Sequence, residues 1–184
     1  MDDGARVGGL GLQFHIWNEE ELRSLMHQEY KSPSAILSAL DQLAEFHLPI
    51  HVSEITLTSP GGTDEGEALQ AQAARSLYRL WFSHPAVESI SWWNVADGGA
   101  APGEDSRSGL LTSDLQPKAS YHALQDLLRK EWRTHAGGVT DAAGMFRLRG
   151  FHGSYRVTAK RGSEEASTNH SIISGATNTF SIRL

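Results

Sequence analysis

Three times before Trp132 a short apolar run gives way to an amphipathic stretch, and from about Gly137 that rhythm stops. The first run, RVGGLGLQFHI (6–16), is rich in glycine and ends in polar groups, as a buried strand feeding a site would. WNEEELRSLMHQEYK follows, acidic at its start, with Leu22, Leu25 and Met26 on one helical face, and predicts a short helix in a long connection. SPSAILSALDQLAEFH then places Ser32 at an N-cap and Pro33 at the first helical position, ahead of Ile36, Leu37, Leu40, Leu43 and Ala44 at helical spacing. The second run, LPIHVSEITLT (48–58), is apolar on both faces. Its helix, TDEGEALQAQAARSLYRLWF, has acids in the first turn and Leu69, Ala73, Leu77, Leu80 and Trp81 inward. AVESISWWNVAD is the third run, and LQPKASYHALQDLLRKEW closes the series, with Pro117 at its start and Ala123, Leu124, Leu127 and Leu128 as the buried stripe. Such alternation demands right-handed βαβ crossovers and a parallel sheet, with function at the carboxyl ends of the strands.

Beyond Gly137 the apolar residues alternate in steps of two. GVTDAAGMFRLRGFHGSYRVTAKRG carries Phe146 and Leu148, then Tyr155, Val157 and Ala159, around glycine turns at Gly144 and Gly153; NTFSIRL repeats the pattern with Phe180, Ile182 and Leu184. The expected organisation is an α/β domain over residues 1–135 and a small antiparallel, β-sandwich-like module over 136–184.

Composition removes several functions. The formal net charge is −6 and the basic residues are scattered, so no surface selects phosphate backbones or anionic membranes, and nucleic acid is not an expected partner. No apolar stretch approaches the ~18 residues of a membrane span, and MDDGARVGG has neither the basic nor the apolar region of a signal peptide. There is no cysteine, and no two of the nine histidines form an H-x-x-x-H pair on a helix, His47 and His51 being separated by Pro49 at the start of the second run, so no metal site is expected.

One carboxylate interrupts the second run at its far end, Glu54. A strand-end carboxylate in a parallel sheet points at a bound ligand, where it can attack or stabilise a developing cation; equally, a glutamate there marks where a strand meets water. His15 at the end of the first run has the same two readings, a site histidine or a satisfied structural one. Trp92 and Trp93 are adjacent in the third run, so they are expected on opposite sides of the strand, with Trp92 toward the helix layer.

GLGLQFH, LPIHVSEIT, FSHPAVESISWWNVAD and GLLTSDLQPKASYHAL stand in the order and spacing of the sixth, seventh and eighth βα units of glycoside hydrolase family 10. From about Gly8 to Trp132 the chain resembles these (β/α)8 endo-β-1,4-xylanases. The resemblance implies a partial TIM barrel made of the last three βα units, a retaining glycosidase acting on xylan or a related β-1,4-glycan, no metal or organic cofactor, and secretion. It implies Glu54 as the nucleophile and His15 as the residue that orients it. Gln13 and Trp93 would contact sugar, and Asp97 would support the substrate site. Three departures stand out. Thr56 replaces an aspartate that in the family completes a trio with the histidine and the nucleophile, Asn94 replaces a glycine after the tryptophan, and DGGAAPGEDS lacks a second tryptophan.

A full barrel takes ~250 residues and eight strands. The family's general acid/base glutamate lies on its fourth strand, which these residues do not include. WNEEE presents an Asn-Glu pair, but Glu19 opens a polar helix, where acidity at the first turn explains it. The expectation is a piece of a longer protein, or a partial barrel closed by a separate N-terminal half or by a second copy in a homo-oligomer, because three strands leave two open edges. The competing class is a non-catalytic carbohydrate-binding or scaffold protein derived from a xylanase. The tail aromatics Phe146, Phe151, Tyr155 and Phe180 fit core packing better than sugar stacking, since three lie on the alternating apolar face.

Overall fold

The computed structural model describes Gly4 and residues 6–184, so the opening MDDGARVGG lies partly outside the described residues. The chain forms two compact units, Met1–Leu127 and Leu128–Leu184.

The first unit runs β1 (Leu10–Ile16), α1 (Glu19–Met26), α2 (Pro33–Ala44), β2 (Ile50–Leu57), α3 (Asp64–Ser83), β3 (Val87–Ile90) and α4 (Ala119–Asp126). The strands form one parallel sheet in the order β1-β2-β3. Local chemistry sets the helix starts. Asn18 caps α1 by accepting the Glu21 N–H, Ser32 caps α2 from Ala35 N–H, and Thr63 caps α3 from Gly66 N–H. α4 starts two residues beyond Pro117, after Lys118. Gly66 has no room for a side chain, because a Cβ there would lie 1.9 Å from the Pro60 carbonyl oxygen.

Ile50, Val52, Ile55 and Leu57 of β2 are enclosed, with Ala73, Ala74, Leu77 and Trp81 of α3. Full burial of each large aliphatic side chain contributes about 1.5–3 kcal/mol. Phe14 of β1 meets Trp81 edge-on at 5.2 Å between ring centroids. α2 encloses only Leu40, and an apolar cavity of about 300 Å³ opens between α2 and β1, lined by Leu12, Phe14, Ile36, Leu43 and Trp81 among others. Leu124 and Leu127 are buried as the helical stripe requires, but Leu128 is exposed: regular α geometry stops at Asp126, and Leu127–Glu131 is a π turn that carries the following side chains off the stripe.

The second unit departs from the expected sandwich. Its described residues hold one antiparallel pair, β4 (Gly153–Arg161) and β5 (Glu164–Ile172), joined at Gly162, where φ is +61°. Phe146–Leu148 and Phe180–Leu184 make no ladder. Gly153 begins β4 instead of turning the chain, while the turn at Gly144 is present, closed by Asp141. A sandwich needs a second sheet whose apolar face meets the first, and Phe146 and Leu148 remain exposed without one.

No helix among the described residues is long and apolar enough to cross a membrane.

Candidate active site at the carboxyl ends of the strands

The site depends on a defect in strand pairing. β1 and β2 pair Leu12 with Val52, but the next pair is Gln13 with Glu54, which leaves Ser53 as one extra residue in β2. The Ser53 hydroxyl donates to the Leu12 carbonyl oxygen at 3.1 Å and so closes this bulge. In an unbroken strand Val52 and Glu54 would share a face, because side chains alternate with period two. The bulge reverses the phase. Ile55 and Leu57 therefore join Ile50 and Val52 against the helices, while Glu54 and Thr56 turn to the face that carries Gln13 and His15.

On that face Gln13 Nε2 donates to Glu54 Oε1 at 3.0 Å, and His15 Nε2 lies 3.5 Å from Glu54 Oε2. His15 Nδ1 lies 2.9 Å from the hydroxyl of Thr56, which is fully enclosed. The Glu54 side chain keeps 22% of its surface exposed, enough for a ligand to reach it. Two groups thus direct nitrogens at one accessible carboxylate, and neither is a second carboxyl group.

Beyond β3 the chain continues beside β2, with the Trp93 N–H donating to the Ile55 carbonyl at 2.9 Å. The Trp93 side chain is 46% exposed at this same end of the sheet. Trp92 turns its indole N–H to the Ser108 carbonyl at 2.9 Å, in the loop that follows β3. Asn94 is buried and donates to Ser108 Oγ at 2.8 Å.

Asp97 is placed differently from the other expected site residues. Both its oxygens accept from Lys118 Nζ at 3.0 Å, and Oδ1 also accepts the Gly109 N–H at 2.8 Å. Lys118 is nearly enclosed, with 1% of its side chain exposed. This pair fastens the loop after β3 to the start of α4. Gln70 of α3 does the same from below, donating to the Leu57 and Gly109 carbonyls and accepting from Ser120.

Glu19 forms an ion pair with Arg23 one turn along α1, at 2.7 Å. Trp17, by contrast, was not expected at the site. Its ring stacks on His15 with centroids 4.7 Å apart and planes 19° apart, and its backbone N–H is held by Glu21. Among the described residues, no group of three His, Asp or Glu side chains could hold a metal ion.

Residues 1–127 match the family model for glycosyl hydrolase family 10. The chain belongs to glycosyl hydrolase family 10. It is 31% identical over 155 residues to the anti-sigma-I factor RsgI6 of Acetivibrio thermocellus, covering 84% of this chain and 18% of that protein. It is 28% identical over 176 residues to endo-1,4-beta-xylanase 2 of Arabidopsis thaliana, covering 94% of this chain and 14% of that protein. Both of these matches extend past Leu127 into the second unit. The chain thus spans less than a fifth of the length of these curated relatives. Among solved structures, xylanase 10B from Thermotoga maritima superposes with a TM-score of 0.56 at 22% identity, over 71% of this chain and 39% of that one. Xylanase 10B from Thermotoga petrophila RKU-1, in complex with xylobiose, gives 0.53 at 23% identity, over 67% and 37%. At these identities the likeness concerns the fold alone.

Proposed function

We propose that this chain carries the nucleophile half of a retaining, endo-β-1,4-xylanase-like active site, with β1, β2 and β3 as the sixth to eighth strands of the barrel. The observation that carries this reading is the Glu54 carboxylate, gripped by Gln13 and His15 at the carboxyl end of a parallel strand and still open to solvent. Glu54 attacks the anomeric carbon of a β-1,4-linked sugar, the bond to the leaving oxygen breaks with its electron pair, and a glycosyl ester forms that water then hydrolyses. Gln13 and His15 orient the attacking oxygens, and the exposed face of Trp93 supports the sugar. Asp97 supports this site by holding its loop to Lys118.

Retaining hydrolysis needs a second carboxyl group roughly 5–5.5 Å from the first, to protonate the leaving oxygen. In this reading that group comes from strands preceding β1 in the barrel, on a longer or separate chain, or from a second copy. Hydrolysis of a dinitrophenyl β-xylobioside tests the half-site alone, because dinitrophenolate leaves without a proton. The expected result is release that depends on Glu54, with no cleavage of xylan by this chain alone. Equal release by wild type and Glu54→Ala would overturn the assignment.

A further inference from the structure

Thr56 is fully enclosed, and among the described residues its hydroxyl has one hydrogen-bond partner, His15 Nδ1 at 2.9 Å. The other ring nitrogen, Nε2, faces Glu54 Oε2 at 3.5 Å. A neutral imidazole has one nitrogen that donates and one that accepts, while a hydroxyl can do either and a carboxylate only accepts. If the proton sat on Nδ1, the ring would donate to Thr56, whose own hydrogen would then have no acceptor. The bare lone pair of Nε2 would also face a carboxylate oxygen. Both conflicts disappear when the proton sits on Nε2: Thr56 donates to Nδ1, and the Nε2 hydrogen faces the Glu54 carboxylate across a 3.5 Å electrostatic contact.

We propose that Thr56 is the positioning residue that commits the neutral His15 ring to its Nε2–H form, so that the ring presents a fixed donor to Glu54. The proposal rests on the reading of Glu54 as nucleophile for its meaning but not for its test. Trp17 supports the arrangement from outside the ring plane: its indole lies along the imidazole, and Glu21 anchors its backbone. Lys31 Nζ holds the His15 carbonyl at 3.3 Å, which ties the main chain and leaves both ring nitrogens to Thr56 and Glu54. No proton leaves His15 in this role. As Glu54 becomes an ester its negative charge disappears, and as water releases it the Nε2–H is already in place to receive the returning carboxylate. The threonine supplies this direction without adding a second charge beside the nucleophile.

Imidazole nitrogen NMR on the ¹⁵N-labelled chain tests the proposal without any substrate, at about pH 8.5, above the ordinary histidine range. The His15 signals are identified by their loss in His15→Gln. Wild type is expected to show the Nε2–H form, with Nδ1 resonating as a hydrogen-bonded acceptor, and Thr56→Ser is expected to preserve that spectrum. Thr56→Val should move Nδ1 to the position of an unbonded acceptor. Thr56→Asp, which can only accept, should draw a proton onto Nδ1. An Nδ1–H ring in the wild type, or an Nδ1 signal indifferent to Thr56→Val, overturns the proposal. Hydrolysis of the aryl xylobioside fails or succeeds separately, so the two readings are distinguishable.

Discussion

The two units share the same raw material and differ in what they enclose. Every fully buried residue among the described ones lies at or before Leu127, while residues 128–184 contain none. Both carry periodic apolar patterns. In the first unit the pattern meets a second layer, sheet against helices, and encloses Ile55, Leu57 and Trp81. In the second unit Tyr155, Val157 and Ala159 share a face with Ala166, Thr168 and His170, but they are only half-buried. A two-stranded hairpin is marginal by itself, because one face has nothing to pack against. Periodicity therefore specifies which side of an element is apolar, and only a partner layer converts that into stability.

The sharpest way to break the contrast is Asp97→Ala. It strands the enclosed ammonium of Lys118, and losing one partner of a buried pair costs about 3–5 kcal/mol. Urea unfolding of the first unit should show that loss, while amide exchange in β4 and β5 stays unchanged; a shift of under about 1 kcal/mol would contradict the role given to this pair.

A pH scan gives a smaller, directional effect. Burial raises the Tyr78 phenol above its ordinary range. The folded chain then keeps the proton when the unfolded chain has lost it, so the associated stability is complete below about pH 10 and declines as pH rises beyond it. Tyr78→Phe should flatten that alkaline decline, and an identical profile in the variant would refute the assignment. The least effect is expected in the second unit. Val157→Ala should alter global unfolding by no more than about 0.5 kcal/mol, and a loss comparable to that of Asp97→Ala would show a core there that the half-exposed face does not suggest.

Helices with caps and stripes were legible in the sequence because their signals are local. Ser32 starts α2 by accepting the Ala35 N–H, with Pro33 in the first turn. The hairpin was half legible: Tyr155, Val157 and Ala159 mark β4, but β5 reads EEASTNHSI, whose polar residues hide its alternation. The alternation predicts Phe180 in a strand, and it stacks instead on His170 at 3.8 Å. Motifs in the sequence point to Glu54, His15, Gln13 and Trp93 as candidates, and the structure brings Glu54, His15 and Gln13 to one face, whereas the bulge that turns Glu54 to that face leaves a subtler trace in the sequence. The apolar positions Ile50 and Val52 shift phase to Ile55 and Leu57, and that slip is the bulge at Ser53. The Lys118–Asp97 pair left no periodic trace, since 21 residues separate its partners. Trp17 lies two residues past His15, and the i, i+2 spacing of extended chain brings its ring onto the imidazole.

The most direct measurement is mass spectrometry of the chain after reaction with the dinitrophenyl glycoside of 2-deoxy-2-fluoro-β-xylobiose. The fluorine slows both glycosylation and hydrolysis by destabilising the cationic transition states, and the good leaving group allows the first step to proceed, so the ester accumulates. A fluoroxylobiosyl adduct on the peptide containing Glu54 is the predicted result, with none in Glu54→Ala. An adduct on another carboxylate, or a Glu54 peptide that stays unmodified, would contradict the account.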